Sequence, residues 1–145
     1  MIYLDTSVIA RNYWPEGLRK ASQQLLGTET ELGLSQLVEV EFFSALSRRV
    51  RMREISQERA RQIAIEFQAE LDGDFYTRIP LESIHYNLAR DWISHFEVPL
   101  RTLDALHLAV ASSNQLLLVI GDEAWARSAR TLGIEVQLLT AVTEG

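Results

Sequence analysis

The chain has 145 residues, of which 47% are hydrophobic and 23% are charged, and its formal net charge at pH 7 is −6. This length predicts one domain over residues 1–145, and the absence of cysteine excludes disulfides, thiolate metal sites and cysteine nucleophiles. The sequence has no apolar run of membrane-spanning length, and Asp5 breaks the first run too early for a signal peptide, so we expect a cytoplasmic protein without a membrane partner.

Apolar spacing and capping residues predict both helices and strands in the first two thirds of the chain. The predicted elements there are a strand over residues 1–4 ending in a polar turn at 5–7, a helix over 34–46 capped by Ser35, a helix opened by Ser56 and closed at 72–74, a short strand over 76–79 and a helix over 81–95. Only the first of these strands is a fully apolar run, as expected of a strand that is buried on both faces.

The last third of the sequence gives the clearest pattern, because its strands and helices alternate. The predicted elements are a helix over 103–113 capped by Thr102, an apolar strand over 116–120, a helix over 123–132 ended by Gly133, and a strand over 134–139. Strands that alternate with helices predict βαβ units. We therefore predict an α/β fold in three layers, with a mostly parallel central sheet flanked by helices.

The charge balance restricts any role in nucleic-acid chemistry. The chain has 20 Asp and Glu residues against 14 Lys and Arg, whereas a passive nucleic-acid binder is usually basic. If this protein handles nucleic acid, its acidic groups are expected to hold cations that neutralise phosphate. Lys20 is the only lysine, which excludes any mechanism that needs a second one.

Two acidic residues follow predicted buried strands. Asp5 comes after the first strand and Asp122 after the strand over 116–120, and ligand sites of open α/β sheets lie beyond these strand ends. Either residue alone is more often a turn or N-cap residue than a ligand. The presence of both favours a shared site.

Two further acids lie in apolar helical surroundings. Glu41 is flanked by Val40 and Phe42, and Asp104 belongs to a helix with the composition of a buried one. A helix-margin position for Glu41 and a dipole-favoured first-turn position for Asp104 are the alternatives to a site. Since no lysine or close arginine is an obvious partner, four converging acids predict a divalent cation, Mg²⁺ or Mn²⁺ rather than Zn²⁺.

Four ordered segments, at 3–9, 35–46, 103–109 and 121–133, resemble the PIN domain and, more narrowly, the VapC toxins of type II toxin–antitoxin systems. The resemblance covers essentially the whole chain. It implies a Mg²⁺- or Mn²⁺-dependent ribonuclease that forms a homodimer and is inhibited by a cognate antitoxin. The acids that it assigns to metal binding and catalysis are Asp5, Glu41, Asp104 and Asp122.

Three positions blur or depart from the family pattern. Glu39 and Glu123 each lie close to an assigned acid. Motif spacing favours Glu41 over Glu39, and Asp122 is favoured over Glu123, for which contact with a second metal through water stays open. Gly121 stands where the family usually has Thr or Ser, so a hydroxyl contact is missing. From sequence alone, Gly121→Ser is expected to leave activity unchanged or to raise it.

Other polar and aromatic residues carry weaker hypotheses. Thr6 and Ser7 could bind a phosphate oxygen or simply cap a helix, and Arg48 and Arg49 belong to a basic run that is either an RNA contact or a solvated helix end. The three histidines lack zinc-ligand spacing, and a hydrogen-bonded core position is favoured for His107. The candidate antitoxin surface consists of two aromatic pairs, Tyr13–Trp14 and Phe42–Phe43.

The sequence therefore predicts a metal-dependent endoribonuclease that hydrolyses RNA phosphodiester bonds as the toxin of a toxin–antitoxin pair. Two alternatives remain open. One is a non-catalytic PIN-like binding module, with Gly121 as a sign of degeneration. The other is a PIN nuclease of RNA or DNA processing outside such a pair, because a fold alone does not choose a substrate.

Overall fold

The part of the chain that the structure describes forms a sheet of five strands, and every pairing between these strands is parallel. The computed structural model describes residues 1–14 and 31–139. Its elements are β1 (Ile2–Leu4), α1 (Thr6–Ala10), β2 (Leu32–Leu34), α2 (Gln36–Arg51), α3 (Gln57–Asp72), β3 (Thr77–Arg78), α4 (Ser83–Ser94), α5 (Thr102–Ser113), β4 (Leu117–Ile120), α6 (Glu123–Thr131) and β5 (Val136–Leu138). The α/β class and the parallel sheet predicted from sequence are confirmed.

The strand order is β3-β2-β1-β4-β5, so β1 is the central strand. The strands β2 and β3 lie on one side of it, and β4 and β5 lie on the other. Leu4 of β1 pairs with Val119 of β4, which brings the carboxyl ends of the two strands side by side. In an open parallel sheet, the point where the strand order reverses is where a ligand crevice forms. The topology therefore creates a crevice beyond β1 and β4.

Helices cover both faces of the sheet, which gives the three predicted layers. Ile2 and Leu4 belong to a core with Phe42 of α2 and Phe67 of α3. Tyr3 lies between Ile2 and Leu4 in sequence, but it belongs to the core on the other face of the sheet. That core includes apolar residues of α5 and α6. Successive residues of a strand point to opposite faces, so β1 contributes to both cores.

The structure corrects two sequence predictions about helix starts. Leu34, predicted as the first residue of a helix, ends β2, a strand that the sequence analysis missed. Position 33 of this strand has little room for a side chain. A Cβ there would be 2.8 Å from Ile79 Cδ1 and 3.2 Å from the carbonyl oxygen of Ile2. Thr102 is the first residue of α5 rather than its cap, which is Arg101.

Other predicted boundaries are confirmed. Gly133 follows α6 with a φ of 77°, a left-handed conformation that favours glycine. The N–H of Ile134 then donates to the carbonyl of Ala129 at 2.9 Å, which closes the helix end. No helix within the described residues is long and apolar enough to cross a membrane.

The aromatic cluster on the α2–α3 face gives a stability prediction. Phe67 is fully buried and stacks on Phe42 with ring centroids 3.9 Å apart. We expect Phe67→Ala to lower the free energy of unfolding by about 3–5 kcal/mol, because it leaves a cavity in a packed core. Urea unfolding measures the change. Phe96→Ala is the matched control, since Phe96 is 91% exposed, and a loss of equal size in both variants would contradict the assigned core.

Candidate functional site

A cleft of about 640 Å³ opens beyond the carboxyl ends of β1 and β4. All four acids predicted from sequence line it: Asp5, Glu41, Asp104 and Asp122. They come from four separate places in the chain, namely the turn after β1, the second turn of α2, the first turn of α5 and the turn after β4. The fold thus brings together residues that are far apart in sequence.

Asp5 is the most buried of these acids, with 5% of its surface exposed. Its Oδ1 accepts hydrogen bonds from the Val8 N–H at 2.9 Å and from Ser7 Oγ at 2.7 Å, so it also caps α1. Burial raises the pKa of this carboxyl above its ordinary value, although these hydrogen bonds and His107 oppose the shift. An ionised Asp5 therefore gains from a nearby positive charge.

Glu41 is held by a buried chain of hydrogen bonds. His107 Nε2 lies 2.5 Å from Glu41 Oε1, and His107 Nδ1 lies 2.7 Å from the hydroxyl of Tyr3. That hydroxyl is also 2.7 Å from Ser35 Oγ. Because an ionised carboxylate only accepts hydrogen bonds, Nε2 is the donor to Glu41. The chain Ser35–Tyr3–His107 fixes where the Glu41 carboxylate lies.

For His107, the sequence favoured a hydrogen-bonded core position and left open a place near the site, one turn after Asp104. The residue is 2% exposed and hydrogen bonded, as expected of a core histidine, but it also lines the cleft. Its position one helical turn after Asp104 is the sequence feature that indicates this second role. Burial raises the pKa of the Tyr3 hydroxyl, so Tyr3 is uncharged in this network.

Asp104 has a partner that the sequence analysis did not recognise. Arg101 Nε lies 3.3 Å from Asp104 Oδ2, although the Arg101 side chain is 80% exposed. Burial nevertheless raises the pKa of Asp104, and the neighbouring Asp122 adds to that shift. The expectation that no close arginine pairs with this acid is wrong, but the ion pair does not offset the cost of burying the charge.

Asp122 caps α6 by accepting a hydrogen bond from the Trp125 N–H at 3.1 Å. It lines the cleft, whereas Glu123 lies within 3.7 Å of Arg127 in an exposed ion pair outside the cleft. Similarly, Glu39 receives two hydrogen bonds from Arg78, at 2.9 and 3.1 Å, and does not line the cleft. Of each ambiguous pair, the acid that the sequence analysis favoured is the one at the cleft.

The four weaker candidates divide into two groups. Thr6, Ser7 and Arg48 line the cleft. Arg49 does not, because its guanidinium lies 5.1 Å from the centroid of the Trp14 ring and its Nε is 3.8 Å from Glu54. Arg49 therefore belongs to the packing of α2 against the aromatic cluster.

Each aromatic pair proposed as a partner surface has one member in the core, and Trp14 is half-buried and lines the cleft. Tyr13 and Phe42 are 2% and 0% exposed, and the Tyr13 hydroxyl bonds to Glu70 and Tyr76. Phe43, at 37% exposed, remains available at the surface.

The donor chemistry of the cleft fits a hard divalent cation. Carboxylate oxygens are the ligands that Mg²⁺ and Mn²⁺ prefer. The partial or full burial of Asp104 and Asp5 makes their negative charge costly, and a bound cation would reduce that cost. No three Asp, Glu or His side chains among residues 1–14 and 31–139 are already arranged to hold a metal ion. The existing contacts of Glu41 with His107 and of Asp104 with Arg101 have to adjust if these residues coordinate a metal.

The PIN domain family model matches residues 2–130 of the chain. No curated protein sequence matches the chain. Among solved structures, FitAcB from Neisseria gonorrhoeae is similar with a TM-score of 0.70 and 16% identity, over 94% of this chain and 96% of that one. VapC20 from Mycobacterium tuberculosis, described as a sarcin-ricin loop cleaving toxin, gives a TM-score of 0.68 and 17% identity, over 88% and 94%. At such identities the structural likeness establishes the fold alone.

VapBC2 from Rickettsia felis, solved with a DNA fragment from its promoter, is a further similar structure. Its TM-score is 0.65 and its identity 15%, over 97% of this chain and 98% of that one. The similarity therefore extends over nearly the full length of both chains in each comparison.

The hydrogen-bonded chain behind Glu41 gives a testable prediction. Tyr3→Phe removes the hydroxyl that lies between Ser35 and His107, and leaves two buried polar groups short of a partner. We expect the free energy of unfolding to fall by about 1–3 kcal/mol, measured by urea denaturation. Tyr86→Phe is the matched control, because Tyr86 is 53% exposed. Equal stability of Tyr3→Phe and the unmodified protein would contradict the network.

Proposed function

The chain belongs to the PIN domain family, and on that basis we propose that it is a metal-dependent endoribonuclease, the toxin of a type II toxin–antitoxin pair. One observation carries the proposal: four carboxylates from separate elements line a single cleft at the switch point of the sheet. A scaffold module without turnover has no need to bury two of these charges. PIN domains are typically nucleases, and similar structures include an RNA-cleaving toxin.

In this proposal Asp5, Glu41, Asp104 and Asp122 hold Mg²⁺ or Mn²⁺. Such a cation, when bound, supplies a water of lowered pKa and neutralises charge on the phosphate being cut. The protein then needs no separate general base among its side chains. The raised pKa values of Asp5 and Asp104 support this assignment, because a bound cation would offset the burial that causes them.

The remaining groups of the cleft orient the ligands and the substrate. Tyr3 and His107 orient the Glu41 carboxylate from behind, as the outer hydrogen-bond partners of a metal ligand do, and the His107 contact adjusts when a cation binds. Thr6, Ser7 and Arg48 line the cleft beside the acids and are the proposed contacts to RNA phosphates. A hydroxyl and a guanidinium both donate hydrogen bonds to phosphate oxygens.

The choice of RNA and of an antitoxin partner rests on the similar proteins. VapC20, described as a sarcin-ricin loop cleaving toxin, and a Klebsiella pneumoniae toxin–antitoxin complex are among the structures that resemble this chain. We propose a structured RNA as the substrate, an antitoxin as the inhibitor, a homodimer as the assembly and the cytoplasm as the location. Phe43, which is exposed beside the aromatic core, is the remaining sequence-predicted candidate for the antitoxin contact.

The first test of this function is the activity of Asp104→Asn. We expect purified protein to cut total RNA into discrete fragments with Mg²⁺ or Mn²⁺, and Asp104→Asn to reduce the rate by at least about 100-fold. The physical reason is that an amide is a poor ligand for a hard cation. Because the substitution removes a buried charge, we expect its melting temperature to stay close to that of the unmodified protein.

Two controls make this test specific. EDTA should abolish cleavage, and Asp91→Asn should retain it, because Asp91 is an exposed residue of α4 outside the cleft. Fragments that persist in Asp104→Asn would indicate a contaminating nuclease. No cleavage by partner-free protein with bound metal would instead favour the non-catalytic module or a DNA substrate.

Metal binding can be measured without activity. We expect Mn²⁺ or Mg²⁺ to raise the melting temperature of the unmodified protein, with a stabilisation that grows as RT ln(1 + [M]/Kd). Asp5→Asn should weaken this dependence, since it removes the most buried candidate ligand. Differential scanning fluorimetry over a metal titration, with metal-free buffer as the reference, measures this shift in melting temperature. An identical titration curve for Asp91→Asn and Asp5→Asn would contradict the assignment of Asp5.

A further inference from the structure

Gly121 leaves a space that the end of a neighbouring side chain occupies, and its backbone conformation does not require glycine. Its φ lies outside the left-handed region, so any residue could adopt this backbone. A Cβ at this position, however, would be 2.7 Å from Arg11 Nη2 and 3.0 Å from Ser7 Oγ. The place that a Thr or Ser side chain occupies in the family pattern is filled here by the end of Arg11.

A hydrogen bond holds one side of the Arg11 guanidinium. The N–H groups on its other side have no acceptor among the described residues. Its Nη1 donates to the carbonyl of Leu139 at 2.9 Å. Within residues 1–14 and 31–139, no carboxylate lies at ion-pair distance from it, and Nη2 has no hydrogen-bond acceptor. A guanidinium has five N–H donors in a rigid fork, so an anchored Arg11 can still bind an anion through its remaining donors.

The carboxylates of the cleft already have their own partners. Asp5 accepts hydrogen bonds from Ser7 and Val8, and Asp104 pairs with Arg101. Arg11 therefore lies among acids without neutralising one by direct contact. No carboxylate of residues 1–14 and 31–139 pairs with its positive charge, which can therefore attract an anionic ligand into the cleft.

Two other donors that line the cleft also lack an acceptor. Thr6 Oγ1 and Trp125 Nε1 are buried, and neither has a hydrogen-bond partner among the described residues. Trp125 is 7% exposed, so its indole N–H is shielded from solvent. Both atoms are closed to solvent, so Arg11 is the donor that we assign to a ligand in the cleft.

We propose that Arg11, in the space that Gly121 leaves open, binds a backbone phosphate of the RNA at the cleft. The inference rests on the proposed ribonuclease function and adds a binding residue that the sequence analysis did not identify. A phosphate offers several strong acceptors, which suits the bidentate geometry of a guanidinium. Arg11 and Gly121 thus work as a pair, because a side chain at 121 displaces the guanidinium.

This pairing reverses the expectation from sequence for Gly121→Ser. A serine Cβ would force Arg11 Nη2 to move, so the variant loses the phosphate contact although it restores the hydroxyl of the family pattern. We therefore expect Gly121→Ser to weaken RNA binding and cleavage and not to improve them.

The binding test uses fluorescently labelled total tRNA, with Ca²⁺ in place of Mg²⁺ and fluorescence anisotropy as the readout. We expect Arg11→Gln to bind about tenfold more weakly and to lower the slope of log K against log salt by about 0.7–0.9, the value for one phosphate contact. Arg11→Lys should retain the slope but lose part of the affinity, since it keeps the charge without the fork. Arg90→Gln, at an exposed position outside the cleft, is the control for loss of charge.

A double-mutant cycle tests whether Gly121 acts through Arg11. Cleavage of total RNA with Mg²⁺ is compared for Arg11→Gln, Gly121→Ser and the double variant, each with its melting temperature. If the guanidinium is what the serine displaces, the double variant is about as active as Arg11→Gln alone. Equal losses from Gly121→Ser in both backgrounds would overturn the pairing.

The outcomes separate this inference from the proposed function. RNA that is bound in an Arg11-dependent way but never cut leaves the phosphate site standing and overturns the nuclease. RNA that is cut equally by Arg11→Gln and the unmodified protein leaves the nuclease standing and overturns the phosphate site. No tRNA binding by the unmodified protein, or equal losses in Arg11→Gln and Arg90→Gln, also overturns the site.

Discussion

The parallel pairing of β1 with β4 is the constraint on which the rest of the site depends. It joins Leu4 to Val119 and the Asp5 N–H to the Val119 carbonyl, so the turns that follow the two strands begin side by side. Asp5 and Asp122 share one cleft for that reason, and each also caps the helix that follows it. The same strand contributes Tyr3 to the opposite core, where its hydroxyl reaches His107. Folding of β1 therefore assembles both the acidic side of the cleft and the support behind Glu41.

Electrostatics explains why such a cleft is suited to a cation and to phosphate together. The desolvation that raises the pKa values of Asp5 and Asp104 is a cost of folding that the described contacts do not fully offset. The same low dielectric that makes unpaired charge costly strengthens any interaction with a bound cation. Arg11, Arg48 and Arg101 line the cleft beside these acids. A cleft with both signs of charge at its wall can bind a metal and the phosphate it acts on, whereas a purely acidic one repels the phosphate.

Local patterns in the sequence predicted most of the fold, and long-range contacts account for what they missed. The apolar runs of β1 and β4 and the cap at Gly133 are local features, and each is found where it was expected. β2 was missed because its three residues carry no strand pattern of their own and depend on pairing with β1. The four acids could be placed from their motifs. The roles of His107 and Arg49 could not, because each depends on a partner from another element.

Gly121 illustrates the limit of motif comparison most clearly. Against the family pattern it looks like a loss, since a hydroxyl is missing beside Asp122. In the folded protein, the space left by that side chain is occupied by a guanidinium from the C-cap of α1, more than 100 positions earlier in the sequence. A motif compares residues at one position, whereas a binding site is a volume that residues from several elements fill. If Arg11 binds phosphate as we propose, the departure at Gly121 exchanges a hydroxyl for a guanidinium and is not the decay of a binding site.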